Sequence, residues 1–296
     1  MSTLVKRWSL ALLLDKFSDN ANLGANVGKL WGSCGEAKVL DIFDTHTHLD
    51  SKEFETDREQ VIERARAAGV TRLLTVGASD GFSSAERAIA LAEKYDFIWA
   101  SAGIHPHDAA VEFDLARLKM LALHARVVAV GEIGLDFFRD WAPREAQYKW
   151  FEAQIGMALE INKPIIIHSR AAGSESLALL KQNGAHKVGG VFHCYSEDAK
   201  FAEELHQINF LVSVPGSLTF KKAEALREII KAIPLDQIML ETDAPYMAPE
   251  PHRGKRCESA FTVETAKMLA SIKGLPLDEV CQRTTENALR LFRIAA

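Results

Sequence analysis

Three things are scarce in this chain of 296 residues, and each scarcity excludes a class of protein. The four cysteines, Cys34, Cys194, Cys257 and Cys281, are scattered without a Cys-x-x-Cys pair, which argues against a disulfide framework and against a thiolate zinc site. A reducing, cytoplasmic setting is expected from that usage. No stretch reaches the roughly 18 to 20 uninterrupted apolar residues that span a bilayer, so no membrane partner is expected. Nor is there surplus positive charge. Against 40 Asp and Glu stand 35 Lys and Arg, a formal net charge of −5, which disfavours a protein that coats nucleic acid by charge alone but leaves room for a local basic pocket.

What is present suits a large soluble core. The chain is 48% hydrophobic and 25% charged, and its length exceeds the roughly 250 residues typical of one α/β barrel. Residues 1–37 read as an N-terminal extension, a short amphipathic helix with a Gly/Asn-rich linker from Asn20 to Gly35. Lys6 and Arg7 before the run Trp8 to Leu14 faintly resemble a secretion signal, yet Asp15 and Lys16 interrupt it and no small-residue cleavage site follows.

From residue 38 to 296 the pattern alternates. Short β-branched or apolar runs recur at Val39–Phe43, Thr71–Val76, Phe97–Ala102, Val127–Val130, Pro164–Ile167, Gly190–Phe192, Phe210–Val214 and Ile238–Leu240. Between most of them lie amphipathic segments of helical period, such as Arg58 to Ala68, Ser84 to Tyr95, Glu145 to Ile161 and Ala199 to Gln207. Eight strands alternating with helices predict a parallel α/β fold closed as a (β/α)8 TIM barrel, with Thr262 to Ala270 and Leu277 to Phe292 completing the outer ring.

Barrel enzymes build their sites at the C-terminal ends of the strands. Six of the eight strand ends here carry a histidine or carboxylate: His46 and His48; His105 and His107; Glu132 and Asp136; His168; His193; and Glu241 and Asp243. His46-x-His48 alone would look the same on a solvated strand face, and His168 or His193 alone would pass for a core histidine. His124, His186, His206 and His252 fall in helices or loops instead, so the grouping at one end of the strands points to a metal site. Four imidazoles, a glutamate and an aspartate exceed what one tetrahedral ion needs. They suit two divalent ions bridged by Glu132, with Zn²⁺ or Mn²⁺ favoured over Mg²⁺. Two such ions about 3.5 to 4 Å apart activate water and clamp an in-line displacement, so hydrolysis is the expected reaction.

The ordered motifs Asp44-Thr45-His46-Thr47-His48-Leu49-Asp50, Gly103-Ile104-His105-Pro106-His107, Gly131-Glu132-Ile133-Gly134-Leu135-Asp136, Ile167-His168-Ser169-Arg170, His193-Cys194-Tyr195-Ser196 and Glu241-Thr242-Asp243-Ala244-Pro245-Tyr246 resemble the TatD family of metal-dependent deoxyribonucleases, in the amidohydrolase superfamily. The resemblance runs from about residue 41 to 294. It implies a barrel hydrolase that trims single-stranded DNA from 3′ ends, a role of the kind used in DNA repair, and it implies His46, His48, Glu132, His168, His193 and Asp243 as metal ligands. Asp243 is expected to be the general base, touching one ion while accepting a proton from water. His105 is expected to face the scissile phosphate. His107 either orients a neighbour or faces solvent, the latter being preferred, and Glu241 is expected one layer deeper in the barrel, supporting the ligands without a catalytic role.

Phosphate recognition needs cations. Arg170 follows His168 closely, and Arg253, Lys255 and Arg256 form a basic loop that resembles the family's Arg-Gly-Lys-Arg motif, although Cys257-Glu258-Ser259 stands where the family commonly has Asn-Glu-Pro. Those cations favour a nuclease over a barrel hydrolase of a small phosphoester or C–N bond. A metal-bound scaffold without turnover is disfavoured by the complete ligand set. No obligate protein partner is expected.

Overall fold

The computed structural model describes residues 40–139 and 141–295; the extension expected over residues 1–37 lies outside them. Eight strands pair in parallel in chain order: β1 Ile42–Thr47, β2 Val70–Gly77, β3 Ile98–Ala102, β4 Val127–Asp136, β5 Ile165–Arg170, β6 Gly190–Phe192, β7 Phe210–Val214 and β8 Ile238–Leu240. Around them run α1 Arg58–Ala67, α2 Phe82–Lys94, α3 Leu115–Ala122, α4 Arg144–Ile161, α5 Gly173–Gln182, α6 Ala199–His206, α7 Glu224–Ala232, α8 Thr262–Lys273 and α9 Leu277–Phe292. This is the (β/α)8 barrel predicted. It closes between β1 and β8, where Thr47 bridges Ala244, His48 N donates to Ala244 O at 2.7 Å and Asp243 N donates to His46 O at 2.8 Å.

The interior is packed, not a pore. Phe43, Leu74, Val76, Ala129, Ile166, Val191, Leu211 and Met239, from seven of the eight strands, form one inner cluster with Leu289 and Phe292 of α9. A larger outer cluster, including Ile42, Leu73, Val130 and Ile167, fills the space between sheet and helices. Both faces of every strand are thus buried, which explains why the strands read as continuous apolar runs.

Three departures from expectation have local causes. First, α3 was not among the expected helices; its N-terminus is capped by the Asp114 carboxylate, which accepts from Ala116 N at 2.9 Å and Arg117 N at 3.2 Å. Second, α9 does not simply complete the outer ring. Thr285 Oγ1 accepts from Phe43 N at 3.0 Å, and Asn287 Nδ2 donates to Leu235 O and Ile238 O, so α9 lies across the strand beginnings and covers the N-terminal mouth. Third, β4 and β5 run on through Asp136 and Arg170. The polar residues expected just beyond these strands are therefore part of the ladder.

Candidate metal centre

The extended strands carry the chemistry. On β4, Ile133 and Leu135 join the outer core while Glu132 and Asp136 turn to the other side, as the two-residue alternation of a strand requires. Gly134, between them, has φ of 146° and pairs with His168; a Cβ there would stand 1.9 Å from His168 O, so only glycine lets β4 approach β5 so closely.

The residues expected as metal ligands converge. His46 and His48 both aim Nε2 at Asp243 Oδ1, at 3.8 and 3.3 Å. Glu132 Oε1 lies 2.7 Å from both His168 Nδ1 and His193 Nε2, whereas its Oε2 lies 3.2 Å from His46 Nε2. Two triads result, His46 with His48 and Asp243, and Glu132 with His168 and His193. Each brings three donor atoms within 4.8 Å of one another, and Glu132 reaches from one to the other with its two oxygens. His46 is 1% exposed, yet neither of its ring nitrogens makes a hydrogen bond. A buried imidazole with an unmatched nitrogen among carboxylates fits a divalent cation.

The electrostatics fit as well. Burial would push the Glu132 carboxyl up, but the imidazoles of His193, His105 and His46 hold it well below the usual carboxylate range. Burial would depress His193, and the charge of Glu132 instead raises it well above the usual imidazole range. His48 is likewise raised, to about 9, by Asp243 against the effect of burial. The cluster holds its carboxylates charged and demands positive charge beside them.

Around the triads stands a supporting layer. Asp136 Oδ2 lies 3.1 Å from His168 Nε2 and 2.7 Å from His107 Nε2, while its Oδ1 accepts from Phe138 N and Arg139 N at 2.9 and 2.8 Å. This fixes the His168 ring with Nδ1 toward Glu132. His107 therefore orients a neighbour, contrary to the solvent-facing preference. The role of Asp136 was also missed, and extending β4 by period two from Glu132 would have found it. Glu241 is fully buried as expected. It accepts from Cys194 N at 2.7 Å and from Ser213 Oγ, and sits 3.7 Å from His193 Nδ1. At the foot of the site Asp44, its carboxyl raised to about 7 by burial, accepts from Thr242 N and Oγ1 at 2.9 and 2.7 Å and ties β1 to the residues before Asp243.

His105 places Nε2 3.4 Å from Glu132 Oε1 and 3.3 Å from His168 Nδ1, while its Nδ1 accepts from His107 N at 3.1 Å. The neutral ring, its pKa pushed by burial down to about 4, thus carries its hydrogen on Nε2, facing the triads. A polar cavity of about 540 Å³ opens beside His48, lined by Asp50, Lys52, Arg58, Arg87 and Tyr246 among others.

The expected phosphate cations are not equivalent. Arg170 ends β5, exposed, with its guanidinium 4.1 Å from the Phe138 ring. Arg253 and Lys255 are exposed, Arg253 lying 3.7 Å over the Phe220 ring. Arg256 differs: it grips Asp57 through both terminal nitrogens at 2.9 and 2.6 Å and Glu53 O at 2.6 Å. Unlike Arg253 and Lys255, it is held by protein acceptors at a part-exposed position, whereas phosphate contact was expected of all three.

A family model described as TatD related DNase matches residues 43–293. The chain belongs to the TatD family. A relative from Bacillus subtilis (strain 168), named "Uncharacterized metal-dependent hydrolase YabD", is 44% identical over 86% of this chain and 99% of its own length. A relative from Rahnella sp. (strain Y9602), named "3'-5' ssDNA/RNA exonuclease TatD", is 36% identical over 86% of this chain and 99% of its own. Among solved structures, the TatD homologue YjjV of Escherichia coli K12 superposes with a TM-score of 0.80 at 31% identity, covering 87% of this chain and all of that one. This TatD-family chain is thus a metal-dependent hydrolase acting on ester bonds, with histidine and carboxylate clusters able to hold metal. No helix of the described residues is long and apolar enough to cross a membrane.

Proposed function

We propose that this TatD-family hydrolase is a divalent-metal-dependent deoxyribonuclease that removes nucleotides from the 3′ end of single-stranded DNA. The observation that carries the proposal is the pair of triads joined by Glu132, since a shared carboxylate between two histidine-rich clusters suits phosphodiester displacement. The Rahnella relative's name, an exonuclease of single-stranded DNA and RNA, supports the substrate. His46, His48 and Asp243 would hold one ion and His168, His193 and Glu132 the other, with Zn²⁺ or Mn²⁺ preferred by four imidazoles. When bound, the ions supply Lewis-acid activation.

The chain's own groups do the rest. Asp243 Oδ takes the proton of the attacking water as the new P–O bond forms. His105 donates from Nε2 to an oxygen of the scissile phosphate and stabilises the charge that builds there. Arg170, with Arg253 and Lys255 further round the mouth, holds flanking phosphates. The P–O3′ bond breaks and the departing O3′ takes up a proton from water, freeing the terminal nucleotide with its 5′ phosphate and leaving a new 3′ hydroxyl. Such trimming fits DNA repair in the cytoplasm, a setting supported by the unpaired Cys194, Cys257 and Cys281.

Protein stripped by chelator and reconstituted with Mg²⁺, Mn²⁺ or Zn²⁺ tests this on a single-stranded oligonucleotide beside a C–N substrate and a small phosphoester. Nucleotide release restored by metal is expected. Turnover of a small substrate without any nucleotide release would replace this function with the amidohydrolase-type alternative.

A further inference from the structure

Phe138 and Trp141 are 63% and 61% exposed in the segment after β4, although large aromatic side chains are ordinarily mostly buried. They stand beside the metal centre. The Trp141 and His107 ring centroids lie 4.4 Å apart, and His107 leads through Asp136 to His168. Fixed positive charge flanks both rings: Arg170 is 4.1 Å from the Phe138 ring, and Arg139 is 5.1 Å from the Trp141 ring.

Exposed aromatic rings with guanidiniums lying over them make a surface suited to one kind of ligand. An unpaired base stacks on the ring whatever its identity, and the neighbouring phosphates meet the arginines. A duplex keeps its bases stacked on one another and offers no such face. We propose that Phe138 and Trp141 form a stacking platform for unpaired nucleobases of the substrate strand, and that this platform selects single strands. The inference rests on the nuclease function proposed above and adds the device that chooses the substrate.

Binding separates it from turnover. In an Asp243→Asn background, a fluorescein-labelled single-stranded oligonucleotide and its counterpart with abasic residues in the 3′ half are titrated by anisotropy against chains carrying Trp141, W141A or W141F. The expected result is a Kd about tenfold weaker for W141A on the base-bearing strand, near-parental binding for W141F, and no effect of W141A on the abasic strand. Equal binding of both chains to the base-bearing strand, or equal loss on both strands, overturns the platform. Should the wild-type chain release no nucleotide with any metal while W141A shows the base-specific loss, the platform stands and the nuclease function falls. Nucleotide release with unchanged W141A binding gives the reverse.

Discussion

Asp243 has φ of 57°, in the left-handed region that Asp and Asn tolerate better than most residues. Asn therefore keeps the backbone and most of the shape while removing the proton acceptor. We expect Asp243→Asn to lower kcat on oligonucleotide at least about a hundredfold while leaving the circular dichroism spectrum unchanged; near-normal rates would remove Asp243 from the base role. Asp136 supplies a contrasting case, because it orients His168 and touches no reacting atom in the proposed mechanism. Asp136→Asn should weaken metal binding about 10- to 100-fold in a chelator competition, and an unchanged affinity would show that His168 needs no such anchor. The sequence made the six expected ligands visible because each ends an apolar run. Period two along β4 sets Asp136 on the face of Glu132, but its pairing stayed hidden because a contact between two motifs, Asp136 Oδ2 to His107 Nε2, is not encoded by spacing along the chain.

At the scale of elements, β4 and β5 were read short because an apolar-run criterion stops at the first charged side chain, here Glu132 and His168. Their true length places Gly134 against His168 O. Gly134→Ala should destabilise the chain by about 3 kcal/mol in urea unfolding and weaken metal binding with it; a stability like that of the parent would mean that β4 can shift freely. The helices show a matching regularity at their C-termini, where carbonyls lack partners. Lys163 Nζ donates to the carbonyls of Ala122, His124 and Val127 at and beyond the end of α3, Lys273 to those of Ile230, Lys231 and Ile233 around the end of α7, and Arg126 to those of Ala92, Tyr95, Asp96 and Ile98 around and beyond the end of α2. Lys163→Met, which keeps the apolar stem, should cost about 1–3 kcal/mol by the same measurement. A cost near zero would mean that water replaces the ammonium. None of these caps was legible beforehand, since each cation lies far along the chain from at least one of its acceptors.

For the whole molecule, the alternation of eight apolar runs with helices was enough to give the barrel, because a parallel sheet buries both faces and leaves few other closures. The covering of the N-terminal mouth by α9 was not legible; a helix that lies across strand beginnings has the same amphipathic pattern as one in the outer ring. The barrel places the carboxylates and imidazoles of strands far apart in sequence within one small volume, and their mutual charge links metal binding to folding. At free metal one hundredfold above Kd the folded state gains about 2.7 kcal/mol, so chelator should lower Tm and added Zn²⁺ or Mn²⁺ should restore it. A Tm indifferent to chelator would deny a resident ion. The proposed activity is tested most directly by following a 5′-labelled single-stranded oligonucleotide over time with metal-loaded protein. The account predicts a ladder shortening one nucleotide at a time from the 3′ end, abolished by chelator. A strand left at full length under Mg²⁺, Mn²⁺ and Zn²⁺ alike, or cut first at internal bonds, would contradict it.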